Sequence, residues 1–199
     1  MPIKKGTNPN HLPRGSIKKV EPIKRTEDIR AIKKFLSDNP RNFCLFTLGI
    51  NTNLRASDLC RITFNMVSGL KPMDAIELKE KKTGKTRRIT LNKACIRAIN
   101  DLLDSQGYKE GDYLFRGQRG TILPTCVHAL VKRWCRAINL KGNYGSHTLR
   151  KTFGYQQRVK YDVGILELMT CFNHSTQKQT LDYLCVQPEE IEKVYANEV

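Results

Sequence analysis

The sequence predicts an α+β domain, mainly helical, with one small antiparallel sheet. Apolar residues recur at the three-to-four-residue spacing of an α-helix through most of the chain. One stretch, 75–91, instead alternates apolar and polar on both sides of "KTGK", the pattern of a two-stranded hairpin turning at Thr83-Gly84. At 199 residues, 39% of them hydrophobic, the chain is long enough for one domain with a sizeable core.

The elements follow in order. Residues 1–25 are rich in Lys, Arg, Pro and Gly with Glu21 as their one acid, too polar to offset the entropy of ordering. They are expected to form a flexible basic arm, either gripping phosphate or simply solvated, ahead of a single domain over 26–199. Thr26 is placed to cap "EDIRAIKKFL", with Ile29, Ile32, Phe35 and Leu36 on one face, and Pro40 stops that helix. "RNFCLFTLGI" is a second helix. "NTNLRASDLCRI" breaks at Asn51 to Asn53 and restarts with Ser57 as cap, which puts Arg55 in a tight junction between helices. Lys82 projects from the end of the hairpin.

Beyond the hairpin, "NKACIRAINDLLDSQG" and "PTCVHALVKRWCRAINL" are amphipathic helices, the second opening at Pro124. "YLF" is a short extended piece between them and "RGQRG" a loop. Ser146 is the cap for "HTLRKTFGYQQRVK", and "VGILELMTCF" reads as a buried helix. "STQKQTLDYLCV" is a short helix, and Pro188 opens a last one, "PEEIEKVYANEV", packed on its own domain or docked into a neighbouring subunit.

Lysine and arginine number 35 against 19 acids, a formal charge of +16, which repels itself unless a polyanion shares the surface. Nucleic acid is the expected partner. Seven scattered cysteines without a C-x-x-C pair read as free thiols, mostly buried, and argue against zinc. No run is apolar for the roughly 18 to 20 residues of a membrane span. The start has no apolar core of a signal peptide, so a cytoplasmic location is expected.

His147 and Arg150 are three apart on a helix, so both leave the same face and can grip one anion. Taken singly, every candidate has an ordinary reading: Tyr183 as a core aromatic, His174 as a surface cap, Arg55 as a partner of Asp58, Lys82 as a turn lysine. Their order and spacing across separate segments carry the weight. Arg55 in "NLRASDL", Lys82 at a hairpin tip, His147 and Arg150 in "SHTLRKTFG", and His174 and Tyr183 in "NHSTQKQTLDYL" together resemble the tyrosine recombinase (phage integrase) family over roughly residues 26 to 186. No other tyrosine follows a histidine by nine residues. Asn53 and Asn173 stand where the family often has glycine.

The resemblance implies the catalytic-domain fold of that family and a site-specific DNA recombinase of integrase or invertase type. In it Tyr183 attacks the scissile phosphate, forms a 3′-phosphotyrosyl link and frees a 5′-hydroxyl. It also implies double-stranded DNA as partner, a homotetramer on synapsed DNA with a monomer or weak oligomer off it, and accessory DNA-bending proteins. No metal or other cofactor is needed, because the covalent link stores the bond energy. Many members add an N-terminal helical domain; this chain resembles the short recombinases that invert fimbrial promoter segments. A type IB topoisomerase-like nicking enzyme and a non-catalytic DNA-binding regulator are the alternatives.

The chemistry asks for these residue types. A phosphodiester gathers charge on its non-bridging oxygens at the transition state, which Arg55 and Arg150 can clamp bidentately without losing a proton. A free tyrosine, with a pKa near 10, is phenolate in only about one molecule in a thousand at neutral pH. His147 is the expected acceptor of the phenol proton and His174 a hydrogen-bond donor to a phosphoryl oxygen. Lys82 is the candidate acid for the leaving 5′ oxygen, with Lys81 and Lys85 as alternatives. Nine residues on an unbroken helix turn by about 900°, leaving His174 and Tyr183 on opposite faces. A bend with Ser175 or Thr176 as helix cap is therefore required.

Overall fold

A computed structural model of the chain describes residues 20–118 and 120–184, together with 195, 196 and 198; the side chain of Asp182 is not among them. The expected last helix from Pro188 and the first nineteen residues of the expected arm lie outside the described residues.

Helix α1 (Thr26–Phe35) leads into α2 (Pro40–Asn51), the most enclosed element of the fold. Proline at the first turn of α2 suits a position whose N–H has no helical partner, and Asn39 caps it by accepting from the Asn42 N–H at 3.0 Å. Every residue from Cys44 to Gly49 is buried, because α5 (Lys93–Ser105) and α7 (Ser146–Tyr161) pack on two sides of α2. A Cβ at Gly49 would collide with Leu149, so glycine there lets α7 lie close against α2. Helix α6 (Pro124–Ala137) covers α7 and α1, and its Trp134 meets Phe46 of α2 edge to face at 5.8 Å. Such a pair contributes about 1 kcal/mol beyond its burial.

Two one-turn helices, α3 (Ala56–Leu59) and α4 (Phe64–Val67), lead to the hairpin of β1 (Ala75–Lys79) and β2 (Thr86–Thr90). Its strands are antiparallel, in the register Ile76 to Ile89 and Leu78 to Arg87. A smaller ladder, β3 (Arg116–Gly117) and β4 (Gly120–Thr121), forms where a loop was expected. Helices α8 (Ile165–Phe172) and α9 (Gln177–Leu184) close the described fold. They pack on the second half of α7, where a Cβ on Gly154 would strike both Phe172 and Leu184.

The mainly helical fold with a small antiparallel sheet is as expected, but four local readings change. Of the expected arm, residues 20–25 are anchored: the Glu21 N–H donates to Asn143 O at 2.8 Å, and Ile23 is wholly buried with its N–H on Thr152 Oγ1. Apolar Ile23 finds a slot on α7 that a composition average cannot show. Thr26, Ser57 and Ser146 stand inside their helices, with Arg25, Arg55 and Gly145 at the cap positions. Phe35 turns outward while Ile32 and Leu36 are buried. Helix α8 is buried only at Leu168 and Phe172, with Leu166 exposed. Of the six described cysteines, all free, Cys126 and Cys171 are exposed. No helix is long and apolar enough to cross a membrane among the described residues.

Candidate active site

The site forms where four pieces of chain meet at the N-terminal half of α7. Asn53 adopts left-handed backbone (φ 57°) and ends α2 sharply, so that Arg55 enters at the N-cap of α3. Asparagine tolerates that conformation better than most side-chain-bearing residues, so the turn forms without a glycine. Its side chain then adds a tie that glycine lacks, donating to Cys171 O at 2.6 Å. Asn173, also left-handed (φ 53°), does the same at the end of α8, and its Nδ2 lies 3.4 Å from Glu80 Oε2. Both asparagines thus make a left-handed turn at the end of a helix.

Arg150 is the most enclosed of the candidates, 2% exposed. Its two terminal nitrogens donate to Asn53 O at 2.9 Å and Phe172 O at 2.7 Å, locking the guanidinium between the Arg55 turn and α8. Burial lowers its pKa to about 10, still charged at neutral pH. His147, one turn earlier on the same face, places Nδ1 3.2 Å from the Tyr183 hydroxyl. Burial, then the charges of Arg150, Lys151, Arg55 and Lys82, push the imidazole below its ordinary 6.5. It is therefore neutral near neutral pH, the state in which Nδ1 can accept a proton.

The required bend is present. Thr176 Oγ1 accepts from the Gln179 N–H at 3.3 Å, and Gln179 Oε1 accepts in return from the Ser175 N–H at 3.2 Å, a reciprocal cap that starts α9 just after His174. His174 thus sits outside the helix and Tyr183 inside it, with ring centroids 5.5 Å apart. Phe172 lies beneath both, stacked on His174 at 5.1 Å and tilted against Tyr183 at 5.0 Å, with the Arg150 guanidinium 5.0 Å from its centroid. Burial and the nearby arginines lower the His174 pKa to about 4. Its Nδ1 lies 3.1 Å from the hydroxyl of buried Thr180; with that hydroxyl as donor, Nε2 carries the proton and can donate onward.

Lys82 is exposed in the loop that closes the β1–β2 hairpin. With Arg55, His147 and Arg150 it lines a cavity of about 270 Å³, completed by Ser57, Pro124 and Ser146 among others. Larger hollows of about 460 and 540 Å³ lie elsewhere and are also lined by basic residues, so what marks this one is that it gathers Arg55, Lys82, His147 and Arg150 from separate segments. Lys82 has the cavity in reach; Lys81 and Lys85 line different ones.

Several contributors were missed in the sequence. Glu80, in a charged "KEKK" run, is 1% exposed and pairs with Arg55 at 2.7 Å and Arg87 at 3.0 Å. The Arg55 contact is a close ion pair without an aligned hydrogen bond. Asp58, the partner in the ordinary reading of Arg55, instead accepts from the Lys81 N–H at 3.0 Å and so holds the hairpin loop. Local spacing favoured Asp58, yet its carboxylate points under the loop and Glu80 reaches the guanidinium. A signal for Glu80 did exist: it continues the inward period-two face of Ile76 and Leu78. Lys151, buried, places its ammonium 5.3 Å from the Tyr183 ring centroid. No group of His, Cys, Asp and Glu able to hold a metal occurs among the described residues.

Known proteins share this arrangement of chain. The sequence profile of the phage integrase family matches residues 24–190. A Bacillus subtilis protein named as a probable integrase/recombinase, YoeC, is 32% identical over 181 residues, which span 88% of this chain and 95% of YoeC. The tyrosine recombinase XerC of Caldanaerobacter subterraneus is 32% identical over 169 residues; they span 80% of this chain but 46% of XerC, about half of its length. In fold, the chain is similar to the XerH site-specific recombinase bound to a palindromic difH substrate after cleavage, with a TM-score of 0.74 and 17% identity over 90% of this chain and 54% of that one.

Proposed function

This chain belongs to the phage integrase family, and from that premise we propose that it is a site-specific DNA recombinase whose nucleophile is Tyr183. The observation that carries the assignment is the Tyr183 hydroxyl 3.2 Å from a neutral His147, beside the buried Arg150. A DNA phosphate in the cavity meets Arg55 and Arg150 on its non-bridging oxygens, and the His174 Nε2–H as a further donor. As the Tyr183 oxygen bonds to phosphorus, its proton passes to His147 Nδ1. The bond from phosphorus to the 5′ oxygen breaks, and that oxygen takes a proton from Lys82. In the second half the order reverses: a 5′-hydroxyl from the partner strand gives up its proton, attacks the phosphotyrosyl phosphorus and expels Tyr183.

The cations act mainly on the transition state, where the phosphoryl oxygens gain charge; one such donor is worth about 10²–10³ in rate. The phosphodiester energy is held in the tyrosyl ester, so rejoining needs no external energy source. The partners follow from the reaction: double-stranded DNA, and a homotetramer that brings two duplexes together, with DNA-bending proteins assisting. The XerH relative captured on its DNA after cleavage supports the DNA partner.

The test uses a pool of duplexes of randomised sequence, each nicked so that the short cleaved fragment diffuses away. Wild type is expected to retain covalently bound DNA under denaturing conditions, and Tyr183→Phe to bind the same pool and retain none. Wild type that binds but traps nothing would make the chain a DNA-binding regulator.

A further inference from the structure

The acid enclosed beside the cavity has no part in the chemistry above, yet it touches three of the segments that build it. Glu80 Oε2 lies 2.7 Å from Arg55 Nη1, accepts from Thr83 Oγ1 at 2.7 Å and faces Asn173 Nδ2 at 3.4 Å, while Oε1 accepts from Arg87 at 3.0 Å. Arg87 in turn donates to Cys171 O at 2.8 Å and shares Asn53 O with Arg150. The backbone of Glu80 also closes the hairpin loop, through its N–H to Lys85 O and its carbonyl from the Gly84 N–H, both 2.9 Å.

Lys82 lies between two of these ties. The residue before it, Lys81, donates its N–H to buried Asp58; the residue after it, Thr83, donates its hydroxyl to buried Glu80. The exposed lysine therefore rides on a loop fastened on both sides to carboxylates of the Arg55 neighbourhood. Burial pushes the Glu80 carboxyl up, but Thr83, Arg55 and Arg87 together outweigh it and hold its pKa at about 2. It is charged at any pH at which the enzyme acts. A buried carboxylate facing two guanidiniums is costly to replace, because a neutral side chain leaves enclosed positive charge unpaired.

We propose that Glu80 is a positioning residue that registers the Lys82 loop against the Arg55 guanidinium, so that one carboxylate sets the distance between the leaving-group acid and the anion clamp. This rests on the roles given to Tyr183 and Lys82 above. It makes a prediction that a merely structural acid does not: loss of Glu80 harms protonation of the leaving group selectively.

The experiment measures covalent trapping on a duplex recovered from the randomised pool, made with oxygen or with sulfur at the 5′ bridging position. With sulfur, the P–S bond breaks and the thiolate leaves without a proton, so Lys82 is not needed. Lys82→Ala is expected to lose about 10² or more on oxygen and little on sulfur. Glu80→Gln is expected to lose about 10–100-fold on oxygen, a range typical for residues that orient a reacting group, with sulfur restoring most of it. Thr83→Val, on the exposed loop, cuts the hairpin tie and the longer 3.4 Å contact from the Lys85 N–H while leaving the Glu80–Arg55 pair in place; it is expected to lose roughly 3–10-fold on oxygen and nothing on sulfur, and it decides the matter if Glu80→Gln does not fold. Equal losses on both substrates, or no loss on either, overturn the proposal while leaving the nucleophile standing. Wild type that traps neither substrate removes the reading beneath it as well.

Discussion

The guanidinium clamp and the helix that carries the phenol are held in place by different means. Arg150 is almost wholly enclosed, with donors on carbonyls from two other segments, and Asn53, Asp58 and Glu80 around it are buried as well. That clamp is continuous with the main core through Leu54, Leu59 and Leu149. Tyr183 belongs to a helix of eight residues whose buried apolar contacts are a separate small cluster, Leu168, Phe172 and Leu184, while Leu181 beside it is exposed. Oriented charge lowers a barrier only if it does not have to reorganise, so the clamp is built into the rigid part. In the proposed reaction Tyr183 bonds to DNA and is later expelled, and among the described residues its buried apolar contacts are that small cluster, the kind of unit in which local opening costs least.

Arg150→Ala probes that contrast with the largest expected effect. Its two bonds to carbonyls each contribute about 1.5–3 kcal/mol because the donor is charged, so melting should fall clearly. Cleavage should fall by about 10²–10³ at the same time. An Arg150→Ala protein that melts like wild type would detach the clamp from the core. Phe172→Ala removes the platform under His174 and Tyr183. A buried Phe→Ala change costs about 3–5 kcal/mol in a full core, and because this cluster is small the lower end is expected. Misplacement of the phenol by roughly 1 Å costs about 10²-fold in trapping.

Thr176→Ala sharpens the comparison from the other side. It deletes the cap of α9, worth about 1 kcal/mol, and is expected to speed amide exchange in 177–184 while leaving amides of α2 and α5 unchanged. Uniform acceleration across the protein would show that the phenol helix is part of the core unit.

The pH profile probes both parts without a substitution. His147 lies below its ordinary 6.5, so the fall in trapping with acid should have its midpoint below pH 6.5, as the imidazole loses the lone pair that accepts the phenol proton. His174, held at about 4 when folded against 6.5 ordinarily, makes a stability contribution that is full above pH 6.5 and lost as pH falls toward about 4, since the unfolded chain binds the proton first. Thermal melting across that window, compared with His174→Gln, reads it directly.

Much of the site was legible because it depends on local geometry. A helical spacing of three puts His147 and Arg150 on one face, and a histidine and tyrosine nine apart demand a break that Thr176 supplies. The hairpin was legible from its alternation. What escaped is non-local: Glu80 reads as one more solvated charge beside lysines, and only the fold encloses it with Arg55, Arg87 and Asn173. The opposite error has the same source. Asp58 is one turn from Arg55, but the hairpin loop passes over it and takes its carboxylate. Ile23 looked like part of a basic arm until a slot against α7 gave it somewhere to go.

The most direct measurement identifies the residue that carries the DNA. Trapped complexes from the nicked pool are digested with nuclease and trypsin, and the modified peptide is sequenced by mass spectrometry. The account predicts a nucleotide joined through its 3′ phosphate to Tyr183 in peptide 179–193. A nucleotide on any other residue, or on Tyr183 through a 5′ phosphate, would contradict it.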